Sequence, residues 1–319
     1  MTELERLQGV VLGLEGDTVV IQSVGGIADR SIGLACALDT RFQLASVSKQ
    51  FTAAAILVLA DRGILSVRDS VGRWIDDCPP TWDAMTIHHL LTHTSGLGHW
   101  RDIPEIDLTA NIEPEDELAI FRRSPLRAGP GAGWYYSSPA FVLLAHIAQR
   151  AADQEYASVL VDEVFEPLGM TSTFAGDAAG RERIARGYRD GVPVPSFELD
   201  VVGMGAGDVW STVGDMARWD LALASGTFLS PGSRQAMLAN HATVDDQSFA
   251  LAKGCGYGWF EGSVIGRRLL FHPGDNAGFK ALNAWFVDDD VRLVVLTNDE
   301  ATDIELIVGE LLISKFSPG

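Results

Sequence analysis

The chain has 319 residues and carries 43 aspartate and glutamate against 24 lysine and arginine side chains, a formal net charge of −19. So acidic a chain repels phosphate backbones and anionic lipid, which argues against nucleic-acid and membrane partners. The start, MTELERLQGV, lacks the basic end and apolar stretch of a signal peptide, and no run approaches the ~18 apolar residues of a membrane span. These features predict a soluble, cytoplasmic protein.

The first predicted element is a hairpin, in which two β-rich runs between residues 7 and 26 are joined by Glu15-Gly16-Asp17. A helix follows in FQLASVSKQFTAAAILVLADRG, residues 42–63. Its apolar residues recur at helical spacing, and Gly63 is a typical C-terminal stop; the stripe consists of Phe51, Ala54, Ala55, Val58 and Leu59.

The middle of the chain, from about residue 74 to 250, is made of helical segments broken by proline and glycine, without regular strand alternation. From Gly256 onward four strand-like runs return, and a closing helix is predicted around 303–315. Strands at both ends predict one α+β domain over residues 1–319, with an antiparallel sheet built from the two terminal segments and flanked by helices. Residues 1–73 and 251–319 would form its α/β part, and residues 74–250 a mainly helical insertion.

The three cysteines, Cys36, Cys78 and Cys255, are far apart in the chain and odd in number. This spacing predicts neither a disulfide framework nor a zinc site, and it favours small core residues over a reactive thiol.

One candidate nucleophile lies at the start of the predicted helix, where Ser46 precedes Lys49 by three positions. Residues i and i+3 of a helix are surface neighbours, so the hydroxyl and the amine can approach each other. Lysine becomes a base only where burial or positive charge keeps it neutral part of the time. By itself the motif favours an N-cap serine and a solvated lysine over a catalytic pair, because one Ser-x-x-Lys is expected by chance in a chain of this length.

Several segments, in register from about residue 8 to 297, together resemble the serine β-lactamase and penicillin-binding-protein-like hydrolases. The branch they resemble contains the class C β-lactamases, DD-peptidases and family VIII esterases. The segments are FQLASVSKQFTAAAILVLADRGILSVRDSV, TIHHLLTHTSGL, PGAGWYYSSPAFVLLA and HPGDNAGF. The resemblance implies a β-lactamase/DD-peptidase-like fold and an acyl-enzyme mechanism that uses no cofactor and no metal.

The resemblance also assigns roles. Ser46 matches the family nucleophile and Lys49 its partner base. Tyr136 matches the tyrosine of the Tyr-x-Asn motif and Ser138 its asparagine, which leaves Tyr135 as a packing residue. Tyr136 could relay protons as phenol or phenolate, provided that nearby positive groups depress its pKa from about 10.

The third family motif, Lys-Thr-Gly or His-x-Gly, is matched by His272-Pro273-Gly274. The resemblance makes His272 a catalytic residue and places Gly274 beside the substrate together with Ser138. The backbone N–H of Asp275 would join that of Ser46 as the oxyanion hole.

Three positions depart from the family pattern. Ser138 is shorter than an amide and only a hydroxyl, which weakens contacts to a β-lactam or peptide amide. His272 carries less dependable charge than lysine at neutral pH, so substrate carboxylates should be recognised poorly. Asp275 adds a negative side chain, and we expect neutral or cationic substrates to be favoured over anionic ones.

Other motifs do not support a different chemistry. In HHLLTH, His89 and His93 have metal-ligand spacing but lack the glutamate of metalloproteases, so a structural helix end is favoured. The GMGAGD segment, residues 203–208, lacks the Gly-x-Gly-x-x-Gly spacing of nucleotide-binding loops and predicts a tight loop beside the active site. No Gly-x-Ser-x-Gly nucleophile elbow occurs.

The sequence thus predicts a serine hydrolase for a small ester, amide or peptide, with esterase or amidase activity favoured. A β-lactamase or D-amino-acid peptidase of the same family stays open, as does a sensor or binding protein that acylates without turnover. Trp100, Phe121 and Trp210 are further candidates for the pocket wall. The oligomeric state does not follow from the sequence.

Overall fold

The computed structural model describes residues 2–110, 112–195 and 203–316. The strands are β1 Gly9–Glu15, β2 Thr18–Gly25, β3 Ile27–Asp29, β4 Leu34–Ala35, β5 Phe42–Gln43, β6 Phe174–Ala175, β7 Tyr188–Arg189, β8 Val192–Pro193, β9 Val209–Ser211, β10 Ala242–Thr243, β11 Ala252–Cys255, β12 Phe260–Val264, β13 Arg267–Asn276, β14 Phe279–Phe286 and β15 Val291–Thr297. The α-helices are α1 Lys49–Asp61, α2 Ile87–Leu91, α3 Pro114–Arg123, α4 Ser138–Ala152, α5 Tyr156–Leu160, α6 Val213–Ser225, α7 Pro231–Leu238 and α8 Ile304–Phe316. A 3₁₀ turn over Ala45–Ser48 leads into α1, and a π-helical turn over Val161–Phe165 extends α5.

The main sheet joins the two ends of the chain. Its order is β10-β11-β12-β13-β14-β15-β1-β2, and each pair is antiparallel. The N-terminal hairpin adds to the C-terminal strands through β1, where Gly9 lies opposite Thr297 on one side and Gly25 on the other. The predicted α+β fold, with a terminal antiparallel sheet and flanking helices, is confirmed.

Both faces of the sheet are covered, which explains why β1 is an almost continuous apolar run. Val10 and Leu12 belong to the large core that also contains α1 and α4, and α6 contacts β1 and β15. Val11 lies on the opposite face, in a second core with Ile307 and Leu311 of α8. The outer strand β2 has one side without a strand partner and is correspondingly more exposed.

The predicted helix after residue 46 is present, but it is buried on nearly every side rather than along one stripe. Its residues from Lys49 to Leu57 are all buried, and so is Leu59. Gly63 follows with φ +72°, a left-handed conformation that glycine adopts without a Cβ penalty. A helix that is apolar all round belongs in the middle of a core, and this position fixes the Ser46 end of α1 firmly.

The segment from 74 to 250 contains more strand than the sequence indicated. Strands β6 and β9 pair with β5 in a small three-stranded sheet, and β10 joins the main sheet ahead of residue 256. These strands are two or three residues long, too short for a period of two to show in the sequence. Helix α6 also packs on the main sheet, although it lies within the predicted insertion. Within the described ranges, no helix is both long and apolar enough to cross a bilayer.

Candidate active site

Ser46 lies in the 3₁₀ turn between β5 and α1, and its side chain is half-buried. Residues three apart are nearly eclipsed in a 3₁₀ turn, so this geometry brings Ser46 under Lys49. The preceding residue, Ala45, has φ +48°, a strained conformation for a residue with a Cβ. The surrounding core holds this turn in a conformation that presents the Ser46 hydroxyl.

Lys49 is fully buried, and its Nζ donates hydrogen bonds to Ser46 Oγ at 3.0 Å and to the Ala206 carbonyl at 2.7 Å. Burial lowers the pKa of Lys49 to about 7, against the opposing effect of the Asp208 charge. A substantial fraction of the amine is therefore neutral near neutral pH. The structure supplies the condition under which a lysine next to a serine can act as a base.

The segment from Gly203 to Asp208 forms a tight loop beside Lys49, as its glycines predict. Gly205 has φ +74°, and a Cβ there would lie 2.7 Å from both the Phe141 carbonyl oxygen and the Ala145 Cβ. Its N–H donates to Asp208 Oδ1 at 3.0 Å, and its carbonyl accepts from Thr52 Oγ1 at 2.6 Å. The loop thus delivers a carbonyl acceptor and a carboxylate to the Lys49 amine.

Tyr136 lies over Lys49, whose Nζ is 5.1 Å from the centre of the tyrosine ring, and its hydroxyl hydrogen-bonds with Ser46. Its ring also packs against Phe249 and Phe260, at centroid distances of 4.9 Å and 6.1 Å. Desolvation by these neighbours raises the pKa of Tyr136 above 10, only partly offset by the hydrogen bond. The condition that the sequence analysis set, a depressed pKa of Tyr136, is not met because burial dominates. Tyr136 is a phenol at neutral pH.

His93, which the sequence suggested to be structural, clamps the segment around Tyr136. Its carbonyl accepts from the Tyr135 N–H at 2.8 Å, and its Nδ1 accepts from the Ser137 N–H at 3.1 Å. The imidazole packs on Tyr136 with ring centroids 4.5 Å apart. Burial keeps the pKa of His93 well below its ordinary value, so the ring is neutral. His93 is a positioning residue that the motif pattern did not single out.

His272 is buried, and its Nδ1 lies 2.7 Å from the Pro273 carbonyl. A carbonyl only accepts, so this nitrogen carries the proton and Nε2 is left as an acceptor. Among the described residues, Nε2 has no hydrogen-bond partner. Burial lowers the pKa of His272 to about 3, with a smaller contribution from Lys49. His272 therefore offers a neutral acceptor and no positive charge.

Gly274 allows strand β13 to pass directly along the Ser46 turn. A Cβ at this position would lie 2.3 Å from the Leu44 carbonyl oxygen, a distance that no side chain tolerates. Just beyond it, Asn276 Nδ2 donates to Gln43 Oε1 at 2.9 Å and to the Gly207 carbonyl at 3.1 Å. These contacts bring the Asp275 backbone close to Ser46; its use as an oxyanion donor stays a prediction.

A cleft with a volume of about 340 Å³ opens above Ser46. Ser138, at the start of α4, lines it together with Asp275, while His99, Trp100 and Leu108 form one of its sides. Trp100 is thus a wall residue, as the sequence suggested. Phe121 and Trp210 are not, because both are fully buried in the core.

The remaining histidines and cysteines lie in structural positions. The His89 side chain accepts from the Thr86 N–H in a capping box at the start of α2, and His88 Nδ1 contacts the Tyr257 hydroxyl at 2.7 Å. Cys36 and Cys255 are buried as predicted, whereas Cys78 is only half-buried. Of the predicted site residues, Ser46, Ser138 and Asp275 line the cleft, and Lys49 and Tyr136 contact Ser46. His272 packs on Tyr136 with ring centroids 6.1 Å apart, and Gly274 passes beside the Ser46 turn. His88 and His89 lie in α2.

The family model that matches this chain is described as beta-lactamase and covers residues 1–310. Penicillin-binding protein 4* of Bacillus subtilis (strain 168) is 30% identical over 324 residues, which cover 93% of this chain and 69% of that protein. Esterase EstB of Burkholderia gladioli is 36% identical over 199 residues, or 56% of this chain and 49% of the esterase. The alignment with the esterase thus spans about half of that relative's length.

A solved structure of a penicillin-binding protein from Bacillus halodurans superposes with a TM-score of 0.85 at 26% identity, over 98% of both chains. The match covers the sheet, the helices and the cleft described above. The chain therefore belongs to the beta-lactamase family of serine hydrolases, with relatives among both penicillin-binding proteins and esterases.

Proposed function

We propose that this protein hydrolyses a small ester or amide through an acyl-enzyme on Ser46. The observation that carries the proposal is the buried Lys49 amine, 3.0 Å from Ser46 Oγ, with its pKa lowered to about 7. A serine hydroxyl needs a base, and a lysine kept largely neutral beside it is one.

In the first half of the reaction, neutral Lys49 takes the Ser46 proton as Oγ attacks the substrate carbonyl. The developing oxyanion is stabilised by the backbone N–H groups of Ser46 and Asp275. Tyr136, a phenol at neutral pH, donates its proton to the leaving oxygen or nitrogen and is reprotonated from the Lys49 ammonium. The products of this half are the acyl-enzyme and a protonated leaving group, with Lys49 neutral again.

In the second half, water attacks the acyl carbonyl and transfers a proton to Lys49, directly or through Tyr136. We propose that the His272 Nε2 acceptor holds that water or a substrate N–H, because its lone pair is not used by a described residue. Collapse of the tetrahedral intermediate returns the proton to Ser46 Oγ and releases the acid. Each proton taken up is given back, and no cofactor enters the scheme.

The test is nitrophenol release from p-nitrophenyl butyrate, followed from the time of mixing, for the wild type, Ser46→Ala and the control Ser66→Ala. Ser66 is exposed in the loop after α1. We expect a burst and steady turnover in the wild type and the control, and neither in Ser46→Ala. Equal turnover by Ser46→Ala would refute the nucleophile assignment.

The same experiment separates the other functions that the family allows. One stoichiometric burst without turnover would favour a sensor. Mass spectrometry of the digested protein would then find the acyl group on the peptide that contains Ser46. Faster turnover of a penicillin or a D-alanyl peptide than of the ester would favour a β-lactamase or a D-amino-acid peptidase.

A further inference from the structure

The cleft above Ser46 has two chemically different sides. His99, Trp100 and Leu108 form an aromatic and apolar side, while charged side chains line the other. Of the described residues that line the cleft, Arg189 alone carries a guanidinium, and the carboxylates are Asp275 and Glu300. The charged side holds two negative groups against one positive group.

Arg189 is occupied by Glu300 in a two-point ion pair. Its Nε lies 2.7 Å from Glu300 Oε2, and its second guanidinium contact to Oε1 is 3.0 Å long. The Gly278 N–H donates to the same carboxylate at 2.7 Å. Backbone bonds hold the partners together, because the Glu300 N–H donates to the Tyr188 carbonyl at 3.1 Å. The Nε–Nη2 edge of the guanidinium is therefore occupied, and the charge of Arg189 is already balanced by the Glu300 carboxylate.

Among the described residues that line the cleft, no further group supplies the missing positive charge. Burial lowers the pKa of His99 to about 4 and that of His272 to about 3, so both are neutral. Lys49 Nζ donates its hydrogen bonds to Ser46 Oγ and the Ala206 carbonyl, and Lys280 Nζ donates to the Thr302 carbonyl at 3.2 Å. A substrate carboxylate would lose hydration in the cleft without gaining a counter-charge.

We infer that Glu300 determines the substrate class, by occupying Arg189 and thereby restricting the cleft to acyl groups that carry no carboxylate. This inference rests on the proposed function and goes beyond it, because it names a residue outside the catalytic motifs. The preferred substrate is an uncharged ester or amide whose acyl group packs against Trp100 and Leu108.

The experiment compares p-nitrophenyl butyrate with p-nitrophenyl hydrogen succinate, in which a carboxylate replaces the terminal methyl group. We expect the wild type to prefer butyrate by at least 100-fold in kcat/KM. Glu300→Gln keeps the shape of the side chain and an acceptor for Gly278, but it frees the charge of Arg189. It should reduce the preference at least tenfold.

Two further variants show whether the effect passes through Arg189. Asp299→Asn removes a neighbouring charge that pairs with Arg30, and it should keep the wild-type preference. In Glu300→Gln/Arg189→Gln the preference should return to at least the wild-type value, because the freed guanidinium is gone. A preference that Glu300→Gln leaves unchanged, or that the double variant does not restore, would overturn the inference.

Binding gives a readout that does not depend on turnover. Quenching of tryptophan fluorescence by the two esters in Ser46→Ala should show the same selectivity, and adding Glu300→Gln should reduce it. If neither ester is turned over by the wild type, the proposed function fails, and this binding measurement on the wild type and Glu300→Gln still decides the role of Glu300. Equal affinities of the wild type for the two esters would overturn the proposed role of Glu300.

Discussion

The buried groups around Ser46 and the outer wall of the cleft differ in how they stabilise charge. Lys49 and His272 are buried and their pKa values are lowered, so their neutral forms are stabilised. On the wall, Arg189 is more than half exposed and remains charged in its pair with Glu300. Under the proposed function, desolvation prepares the proton transfers, and the exposed Arg189–Glu300 pair selects the substrates. The chemistry and the selectivity of the site can be changed separately.

The largest effect is expected from replacing the base without changing its charge. Lys49→Arg leaves a cation beside Ser46 that does not deprotonate, so the contribution of the general base, about 10²–10⁴-fold in kcat, should be lost. The control is Lys253→Arg, on the exposed β11 lysine. Nitrophenyl ester kinetics measure both, and a Lys49→Arg variant within tenfold of the wild type would show that Lys49 is not the base.

The next effect tests Tyr136 as the proton donor. Tyr136→Phe keeps the ring and its packing on His93 but removes the hydroxyl, and kcat should fall by about 10²-fold. The loss should be larger for an ethyl ester than for a nitrophenyl ester, because only the ethoxide needs a proton to leave. Tyr135→Phe is the matched control. Equal losses with both leaving groups would contradict the assignment.

A smaller effect is expected on the pH profile. Neutral Lys49 is the active form, so kcat/KM should rise with pH through about 7. Asp208 raises the pKa of Lys49, and Asp208→Asn should therefore move this limb to lower pH, by roughly half a pH unit to one pH unit. At pH 6 the variant should therefore retain a larger fraction of its maximal kcat/KM than the wild type does. A limb that moves to higher pH would contradict this electrostatic account.

The smallest effect on activity is expected at Glu117, away from the cleft. Glu117 is fully buried in α3, neither carboxylate oxygen has a partner among the described residues, and burial raises its pKa from 4.5 to about 8. The folded state holds a proton that the unfolded state releases, so stability falls as pH rises from about 4.5 to about 8. At pH 8 the free energy of unfolding of Glu117→Gln should exceed that of the wild type by on the order of 1–3 kcal/mol. Urea unfolding at pH 5 and pH 8 measures this, and an equal difference at both pH values would refute it.

The sequence located the candidate site through several motifs taken together. Alone, the Ser46-Lys49 spacing, the Tyr136 segment and the His272-Pro273-Gly274 strand end were each compatible with a structural role, and only their order along the chain resembled a known family. The terminal sheet followed from strand-like runs at both ends of the chain. The short strands between residues 74 and 250 did not, because two-residue strands leave no periodic signal.

Properties that depend on packing could not be obtained in this way. The direction of the Tyr136 pKa shift is set by burial, and the rings that pack on Tyr136 include Phe249 and Phe260, more than a hundred residues later in the chain. The Arg189–Glu300 pair is likewise formed across the fold, with 111 residues between its members. Nor does the glycine pattern of the loop indicate that Ala206 presents its carbonyl to Lys49. Each of these requires knowing which segments touch.

The close approach of Gly274 to Leu44 also has a consequence for synthesis of the chain. The nucleophile is near the N-terminus, but the strand that passes beside it is made more than two hundred residues later. A ribosome-bound chain that carries Ser46 and α1 has neither the neighbouring strand nor the Ala206 carbonyl that complete the site. Under the proposed function, an unfinished chain therefore lacks part of the surroundings of Ser46 and should not form the acyl-enzyme.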